Sequence, residues 1–290
     1  PGMTWRKERA VRFTKMQGLG NDYVYVDAIH QDPGDLPRLA RRVSDRHFGV
    51  GSDGLICICP SQTADFRMRM FNADGSEGEM CGNGIRCLGK YVYDRGLTDK
   101  RELDIQTGAG TRHLRLFPGE GDGAGGEIRM VEVNMGRPVL EADQVPAISE
   151  HTCMIREPVR VGVVEYPMTA ISMGNPHAVI FTGHVRGLDL QRLGPSIEYH
   201  GRFPRRVNVE FAQVEDRGTV RVRVWERGSG ETLSCGTGAC AVLVAGVLND
   251  LTDRQVTVKL IGGDLLAEWR EETGEILLTG PAVHVFDGEV

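Results

Sequence analysis

The chain has 290 residues, 40% of them hydrophobic and 26% charged, and a formal net charge of −6 at pH 7. This composition is typical of a globular protein with room for two domains, each burying its own core. The acidic balance and the lack of a basic run argue against nucleic acid as a partner, and no apolar run reaches the roughly 20 residues that span a membrane.

The N-terminal residues and the cysteines indicate the compartment. Residues 1–11 are rich in charge and are expected to form a short extension without the apolar core of a signal peptide. The chain contains seven cysteines, an odd number that does not suit a disulfide framework. We therefore expect a reducing, cytoplasmic environment.

The first half of the sequence alternates short strands with two helices. The pattern predicts a strand from Phe13, a turn at 18–22 and a second strand at Tyr23–Val26. A helix is predicted to begin at Cys81 and to end at Gly96. The other predicted elements are a helix at 36–43, strands at 55–59, 66–71, 103–107, 112–117 and 128–133, and a glycine-rich hairpin tip at 118–126.

The second half repeats this plan. Its predicted helices cover 188–193 and 236–248, and the second is apolar almost all round, which predicts that it is enclosed. The predicted strands cover 159–164, 169–172, 178–181, 207–214, 219–225, 256–260, 265–269 and 276–279. We expect an α+β fold of two pseudo-symmetric domains, each a mostly antiparallel sheet wrapped around a central helix. The predicted domains are 12–136, completed by 281–290, and 137–280.

An internal repeat carries the strongest functional signal. The segments CGNGIRC, from Cys81, and CGTGACA, from Cys235, lie 154 positions apart. The same offset relates Asn72 to Glu226, and it relates Gly20-Asn21 to Gly174-Asn175. A constant offset over this much of the chain predicts a two-fold repeat that brings two equivalent thiols to one site.

The residue types around the two cysteines suit acid–base chemistry. A cysteine in the first turn of a helix faces unpaired N–H groups and the positive end of the helix dipole, which favours the thiolate. A helix end contributes about 0.3–1 kcal/mol, so we expect the thiol pKa to fall by roughly one unit at most. The glycines after each cysteine let backbone N–H groups approach an anion closely. The pattern therefore predicts proton abstraction beside a carboxylate by one thiolate, with the other thiol returning a proton.

Five motifs, in this order, carry a resemblance to a known family. They are KMQGLGNDY, FNADGSEGEMCGNGIRC, SMGNPHAVI, PRRVNVEF and ERGSGETLSCGTGACA. From Phe13 onward the chain resembles the diaminopimelate epimerase family. That resemblance implies the fold of that family, a homodimer, and interconversion of LL- and meso-diaminopimelate without cofactor or metal, in lysine and peptidoglycan precursor biosynthesis.

The resemblance also implies roles for individual residues. Cys81 and Cys235 would be the acid–base pair on opposite faces of the substrate α-carbon. The residues expected around the reacting carboxylate are Gly82, Asn83, Gly236, Thr237 and, beside that same end, Asn21. The residues expected to bind the distal amino acid centre are Asn72, Asn175, Asn208 and Arg227, with the guanidinium of Arg227 as the partner of the distal carboxylate. Glu226 and His177 resemble polar residues beside the reacting amino group.

Some positions are interpreted differently. Gly54 stands where some family members carry a glutamine near the substrate, so the role of that side chain is not transferred, and we expect water or a neighbour to fill its place. Buried cysteines are often simply small apolar residues. That interpretation is preferred for the remaining cysteines, which are Cys57, Cys59, Cys87, Cys153 and Cys240.

Two alternative functions remain open at this point. A proline or hydroxyproline racemase would share the paired-cysteine design, but the set of asparagines with Arg227 favours a substrate with a second charged head. In a different class, the two cysteines could form a redox switch or bind zinc in a binding protein. Zinc sites favour closely spaced pairs such as CxxC, and this sequence contains no CxxC.

Overall fold

The computed structural model of the chain describes residues 10–119 and 126–290. The predicted extension at 1–11 and the predicted hairpin tip at 118–126 therefore lie largely outside the described residues. The helices are α1 Leu36–Ser44, α2 Gly82–Asp94, α3 Leu190–Glu198 and α4 Gly236–Leu248. The strands are β1 Arg12–Gly18, β2 Asn21–Asp27, β3 Gly54–Cys59, β4 Phe66–Asn72, β5 Glu77–Gly78, β6 Glu102–Thr107, β7 Gly110–Pro118, β8 Ile128–Gly136, β9 Glu157–Val161, β10 Val164–Ser172, β11 Pro176–Phe181, β12 Asn208–Asp216, β13 Thr219–Glu226, β14 Gly230–Thr232, β15 Gln255–Leu260, β16 Gly263–Trp269, β17 Ile276–Pro281 and β18 Val283–Glu289.

The predicted internal repeat is present in the structure. Helices α2 and α4 begin and end at positions 154 apart, 82 and 236 at one end and 94 and 248 at the other. Most of the described strand pairs are antiparallel. The parallel pair β2–β3 of the first half corresponds to β11–β12 of the second, and the parallel pair β4–β6 corresponds to β13–β15. The α+β prediction with two pseudo-symmetric halves is thus confirmed.

The chain divides into two compact units, and the last strand of each half of the sequence belongs to the unit formed by the other half. One unit contains the described residues up to His113 together with Ala282–Val290, and the other contains the described residues from Leu114 to Pro281. Strand β18 pairs with β1 in the first unit, and β8 pairs with β17 in the second. Because β8 is part of the second unit, residues 114–136 belong there and not with the first domain, where the sequence prediction placed them.

Each unit has a buried helix against its strands. In the second unit, α4 contacts strands β10, β11, β12, β15, β16 and β17, and Ala239–Ala245 are completely inaccessible to solvent. The prediction that this helix is enclosed is therefore confirmed. In the first unit, α2 packs against β1 and β2, while α1 packs against β3 and β4.

Two predicted elements differ from the observed ones. The single strand predicted at 159–164 is wrong, because β9 ends at Val161 and β10 begins at Val164. Gly162 between them has a φ of 65°, a conformation that suits glycine in a tight turn. Helix α3 continues to Glu198, past the predicted end at 193, and it includes Pro195.

An ion pair joins β18 to the rest of the first unit and leads to a testable prediction. Asp287 lies 2.5 Å from Nη2 of Arg95 and accepts a hydrogen bond from Thr14. Arg95 is the main cause that lowers the pKa of Asp287 from 3.8 to about 2. Asp287→Asn should lower the free energy of unfolding at pH 7 by only about 1 kcal/mol, since the carboxylate is 51% exposed and screened.

The sign of this contribution fixes its pH dependence. A carboxylate whose pKa is depressed by folding stabilises the folded state above about pH 4, and that contribution disappears as the pH falls towards 2. Urea unfolding of both proteins at pH 7 and pH 3 should therefore show a smaller difference at pH 3. An equal difference at both pH values would contradict this assignment.

Candidate active site

Cys81 forms the N-terminal cap of α2. Its Sγ accepts a hydrogen bond from the backbone N–H of Gly84 at 3.4 Å and donates its own proton to Oδ1 of Asn21 at 3.2 Å. Nδ2 of Asn21 donates to Oδ2 of Asp53 at 2.7 Å. Because the amide N–H of Asn21 is held by this carboxylate, its carbonyl oxygen is the end that faces the thiol.

A charged cluster holds Asp53 in place. Nη2 of Arg46 lies 2.8 Å from Asp53 and 3.1 Å from Asp22, and Nζ of Lys15 lies 2.5 Å from Asp22. Burial alone would raise the pKa of Asp22, but the hydrogen bonds from Lys15 and Arg46 lower it below its usual range. Asp22 is therefore a carboxylate at neutral pH, and the cluster supports a fixed acceptor beside Asn21.

A row of residues crosses three neighbouring strands and begins at Tyr23, which lies near Cys81. In the strand register, Tyr23 of β2 pairs with Gly54 of β3, which pairs with Asn72 of β4. Burial is the main cause that raises the pKa of Tyr23, and the nearby Cys81 adds to it. A Cβ on Gly54 would lie 2.1 Å from the carbonyl oxygen of Phe71 and 2.9 Å from the Tyr23 ring. The place of a side chain at Gly54 is thus filled by neighbours.

Cys235 forms the corresponding cap of α4. Its Sγ accepts from the N–H of Gly238 and lies beside Oγ1 of Thr237, both at 3.4 Å. The residue is only 5% exposed. Burial, followed by the negative charges of Glu226 and Glu210, raises the pKa of this thiol well above 9.0.

The expected decrease in thiol pKa is therefore wrong for Cys235. The helix terminus does donate an N–H to the sulfur, as predicted. However, the free-energy cost of removing the thiolate from water exceeds the stabilisation that one helix end provides. Cys235 is therefore a protonated thiol at neutral pH, which is the form required of a general acid.

The second unit has its own row of residues at the repeat-related positions. His177 of β11 pairs with Asn208 of β12, and Glu226 ends the adjoining strand β13. Nδ2 of Asn208 donates to the carbonyl oxygen of Pro176 at 2.9 Å, and its Oδ1 accepts the backbone N–H of Arg227 at 2.8 Å. Asn208 therefore fixes the backbone that carries Arg227.

The groups expected to bind substrate differ in how far they are already engaged. Arg227 is exposed, and its guanidinium donates to the carbonyl oxygen of Arg205 at 3.1 Å. Glu226 accepts a hydrogen bond from Thr232 at 2.6 Å. Asn72 is exposed and donates to Ser76 at 3.0 Å.

The residues that follow the two cysteines contribute backbone rather than side chains. Gly82 and Gly236 are the first residues of α2 and α4, where N–H groups have no partner inside the helix. Oδ1 of Asn83 accepts from the buried Arg86 at 2.8 Å. The side chain of Asn83 is thus used for structure, and its N–H is the group suited to an anion.

Sequence reasoning missed three residues: Tyr23, Asp53 and Glu210. Glu210 is completely buried in β12, where its Oε1 lies 2.7 Å from Nδ1 of His177. Two of them had a signal in the sequence: Tyr23 lies 154 positions before His177, and Glu210 interrupts an apolar strand. Of the cysteines that were predicted to lie in the core, three are buried and two are only half-buried. The buried ones are Cys57, Cys87 and Cys240, and the half-buried ones are Cys59 and Cys153.

The third residue of each helix gives a paired prediction. A Cβ on Gly84 would meet the flexible end of Ile56 at 2.6 Å, whereas a Cβ on Gly238 would meet Oε1 of Glu210 at 2.6 Å. Glu210 is held by His177 and has less freedom to move. We expect Gly84→Ala to change the free energy of unfolding by less than about 1 kcal/mol, because improved helix propensity offsets the crowding.

Gly238→Ala should instead destabilise the protein by about 1–3 kcal/mol, the usual cost of overpacking, and it should also reduce activity. Thermal unfolding of the two variants measures the contrast. Equal melting temperatures would show that the hydrogen bond between Glu210 and His177 does not restrict this site.

Two further findings concern the described residues. Across 10–119 and 126–290, no group of three or more His, Cys, Asp or Glu side chains is arranged to hold a metal ion. Among the described helices, none is both long enough and apolar enough to cross a membrane.

The chain is similar to proteins of one named family. A model of the diaminopimelate epimerase family matches residues 13–141 and 169–285. A diaminopimelate epimerase from Acetivibrio thermocellus is 52% identical over 280 residues, which cover 97% of this chain and 98% of that protein. A diaminopimelate epimerase from Methanococcus maripaludis is 51% identical, with 97% and 99% covered.

A solved structure extends the likeness to the fold of more distant proteins. The crystal structure of a hydroxyproline epimerase from Agrobacterium vitis superimposes with a TM-score of 0.69 at 16% identity, covering 99% of this chain and 94% of that one. At this identity the likeness shows the fold alone. The identity to the two named epimerases extends over almost the whole chain. The chain therefore belongs to the diaminopimelate epimerase family.

Proposed function

We propose that this protein is an isomerase that interconverts LL- and meso-diaminopimelate, with Cys81 and Cys235 as its acid–base pair and without a cofactor. The observation that carries the proposal is the repeated cap. Each cysteine is the N-cap of a helix, and each sulfur accepts the N–H of the glycine three residues later at 3.4 Å. This arrangement occurs in a chain that is 52% identical to a named diaminopimelate epimerase.

The proposed reaction needs one of the two cysteines as the thiolate and the other as the thiol. One cysteine, as the thiolate, removes the α-proton, and the electron pair of the C–H bond passes into the neighbouring carboxylate. The other cysteine, as the thiol, then gives its proton to the opposite face of the same carbon. The protein ends the turnover with the two forms exchanged, and no electron is gained or lost.

Backbone donors stabilise the charge that develops between these two proton transfers. The first residues of each helix, Gly82-Asn83 and Gly236-Thr237, have N–H groups that the helix does not use. Donors that are fixed before the reaction need no reorganisation as the carboxylate gains charge, and in many enzymes such donors account for most of the rate enhancement. A thiol also suits the acid role because it is neutral and does not repel the thiolate.

The remaining residues would position the amino acid at its two ends. Arg227, with its planar guanidinium, suits a distal carboxylate, since the two groups form paired hydrogen bonds. Asn72, Asn175 and Asn208 are proposed around that distal centre, and Asn21 beside the reacting carboxylate. Glu226 and His177 are proposed beside the reacting amino group.

Product analysis tests the proposed reaction. The reduced protein, incubated with LL-diaminopimelate and no additive, should form the meso isomer until both are present at equilibrium. L-Proline under the same conditions should remain unchanged, because it has no distal carboxylate for Arg227. Racemisation of proline without conversion of diaminopimelate would retain the thiol chemistry and refute the substrate. No conversion of either would favour the redox or binding alternative.

We also propose a homodimer in the cytoplasm. None of the seven cysteines forms a disulfide bond within the described residues, which suits a reducing compartment. Strand β18 exposes apolar side chains, with Val285 49% and Phe286 43% accessible, and exposed apolar patches often mark a protein interface. Light scattering after size-exclusion chromatography should give twice the chain mass of 31.9 kDa, and Phe286→Asp should shift it towards the monomer. A monomer at micromolar concentration would refute the dimer.

A further inference from the structure

A buried acid in the second unit has no role in the proposed reaction. Glu210 is completely inaccessible in β12, and burial raises the pKa of its carboxyl group. Its Oε1 is bound to His177, and its Oε2 has no hydrogen-bond partner in the described part of the chain. Burying such a group is costly, so a position of this kind calls for a functional explanation.

Glu210 is the first member of a chain of three polar side chains. Nδ1 of His177 lies 2.7 Å from Oε1 of Glu210, and Nε2 of His177 lies 3.0 Å from Oδ1 of Asn175. An amide oxygen only accepts, so Nε2 must carry a proton. A second proton is shared by Nδ1 and Glu210. The pair is therefore neutral overall, whether it is written as imidazolium and carboxylate or as imidazole and carboxylic acid.

The hydrogen bonds from Glu210 through His177 fix the orientation of the Asn175 amide. Because Oδ1 of Asn175 is bound to His177, its NH2 group is the end left for a substrate. The repeat-related Asn21, 154 positions earlier, has the opposite orientation. Its NH2 group is bound to Asp53 at 2.7 Å, and its oxygen accepts from the Cys81 thiol at 3.2 Å.

The first unit has different residues at the positions that correspond to this buried pair. Ile56 lies 154 positions before Glu210, and Tyr23 lies 154 positions before His177. The correspondence holds in space, because Cδ1 of Ile56 and Oε1 of Glu210 each lie 2.6 Å from the Cβ position of the third helical glycine in their own unit. The two units thus use different partners to orient their repeat-related asparagines. The NH2 group of Asn21 is bound within the protein, and in Asn175 it is the oxygen that is bound to His177.

We propose that Glu210 is a positioning residue that acts through His177 to turn the NH2 group of Asn175 towards a substrate carboxylate. This inference rests on the proposed function, in which Asn175 binds the distal amino acid centre. Asn21 uses its oxygen for the Cys81 thiol, whereas Asn175 keeps its NH2 group for a substrate. A two-fold repeat can thus distinguish the two ends of a substrate that itself has two amino acid heads. Specificity for the distal end would then depend on a residue that never touches the substrate.

The protonation state of His177 tests the first step without any substrate. Nitrogen NMR of the protein labelled with 15N-histidine, with the His177 signals assigned from a His177→Gln variant, should show a protonated Nε2. An unprotonated Nε2 would mean that the Asn175 amide is reversed, and it would overturn the proposal. This result does not depend on whether the protein epimerises diaminopimelate.

Variants at Glu210 test the second step. Glu210→Ile introduces the residue of the other unit, and we expect it to raise KM for LL-diaminopimelate about 10- to 100-fold, the range for losing one hydrogen bond to a charged group. The kcat value should change less than about threefold, a small factor on the scale of acid–base catalysis. Glu210→Gln can still donate to Nδ1, and it should restore both constants to near wild-type values.

A matched control and the contrary outcomes complete the experiment. Glu157→Gln changes a half-buried acid of the same unit that binds Ser149 and Arg202, and it should leave KM unchanged. A folded Glu210→Ile protein with unchanged KM, or with a lower kcat alone, would overturn the proposal. If that variant does not fold, Glu210→Gln and the NMR measurement decide. A wild-type protein without epimerase activity would refute the proposed function. The protonation state of His177 would still be measurable in that protein, so the two failures can be told apart.

Discussion

Replacing either Cys81 or Cys235 with alanine is expected to reduce conversion of LL- to meso-diaminopimelate by at least about a thousandfold, within the range that one positioned acid or base supplies. Each variant keeps one thiol, but a full turnover requires a base on one face of the α-carbon and an acid on the other. Both sulfurs accept a backbone N–H at the helix start, and alanine removes that cap. Chiral separation of the products with time measures the loss.

Two other cysteines in the same helices serve as controls. Cys87 in α2 and Cys240 in α4 are completely enclosed, and burial raises the pKa of Cys87 to about 11, so it is an inert thiol at neutral pH. Cys87→Ala and Cys240→Ala should lose some stability and keep full activity. Normal activity in Cys81→Ala or Cys235→Ala, or loss of activity in the controls alone, would contradict the assignment.

The second large effect is expected at Arg227. Arg227→Gln should lower kcat/KM for diaminopimelate by about 100-fold or more, since removing one partner of a hydrogen-bonded charge pair costs about 2–5 kcal/mol. Most of the change should be in KM, because the distal carboxylate is bound equally in the ground state and in the transition state. Arg227→Lys keeps the charge without the planar fork and should lie between these values.

The matched control for Arg227 is another arginine of the second unit. Arg192 lies on the surface of α3 with a side chain that is 77% exposed, so Arg192→Gln should leave both constants unchanged. Steady-state kinetics of the three variants gives the comparison. An unchanged KM in Arg227→Gln, or a fall in kcat alone, would show that Arg227 does not bind the distal carboxylate.

Local patterns in the sequence were sufficient to predict the helices that carry the cysteines. Helix α4 has the predicted bounds because thirteen residues without proline or charge follow a capping cysteine. The helix predicted at 188–193 falls short of the observed end of α3 at Glu198, beyond Gly194 and Pro195, which are residue types that usually terminate helices. Gly194 is instead required by packing, because a Cβ there would lie 2.2 Å from the Trp225 ring. That contact is made across 31 residues of sequence and has no local signal.

The candidate site shows the same limit. The repeat was sufficient to find both cysteines and both asparagines, because offset alone relates them. The environment of Cys235 could not be predicted, since its pKa depends on burial and on Glu226 and Glu210, which only the fold brings close. The return of residues 281–290 to the first domain was predicted, but the place of β8 in the second unit was not, because strand pairing is a non-local property.

The most direct test of the central claim is proton NMR of LL-diaminopimelate with the reduced protein in deuterium oxide. Two thiols on opposite faces predict that, in the first part of the reaction, the meso product carries deuterium at the inverted α-carbon while the remaining LL substrate keeps its proton. Equal deuterium in substrate and product from the earliest times would show that one group serves both faces, and it would contradict the account of Cys81 and Cys235 as an acid–base pair.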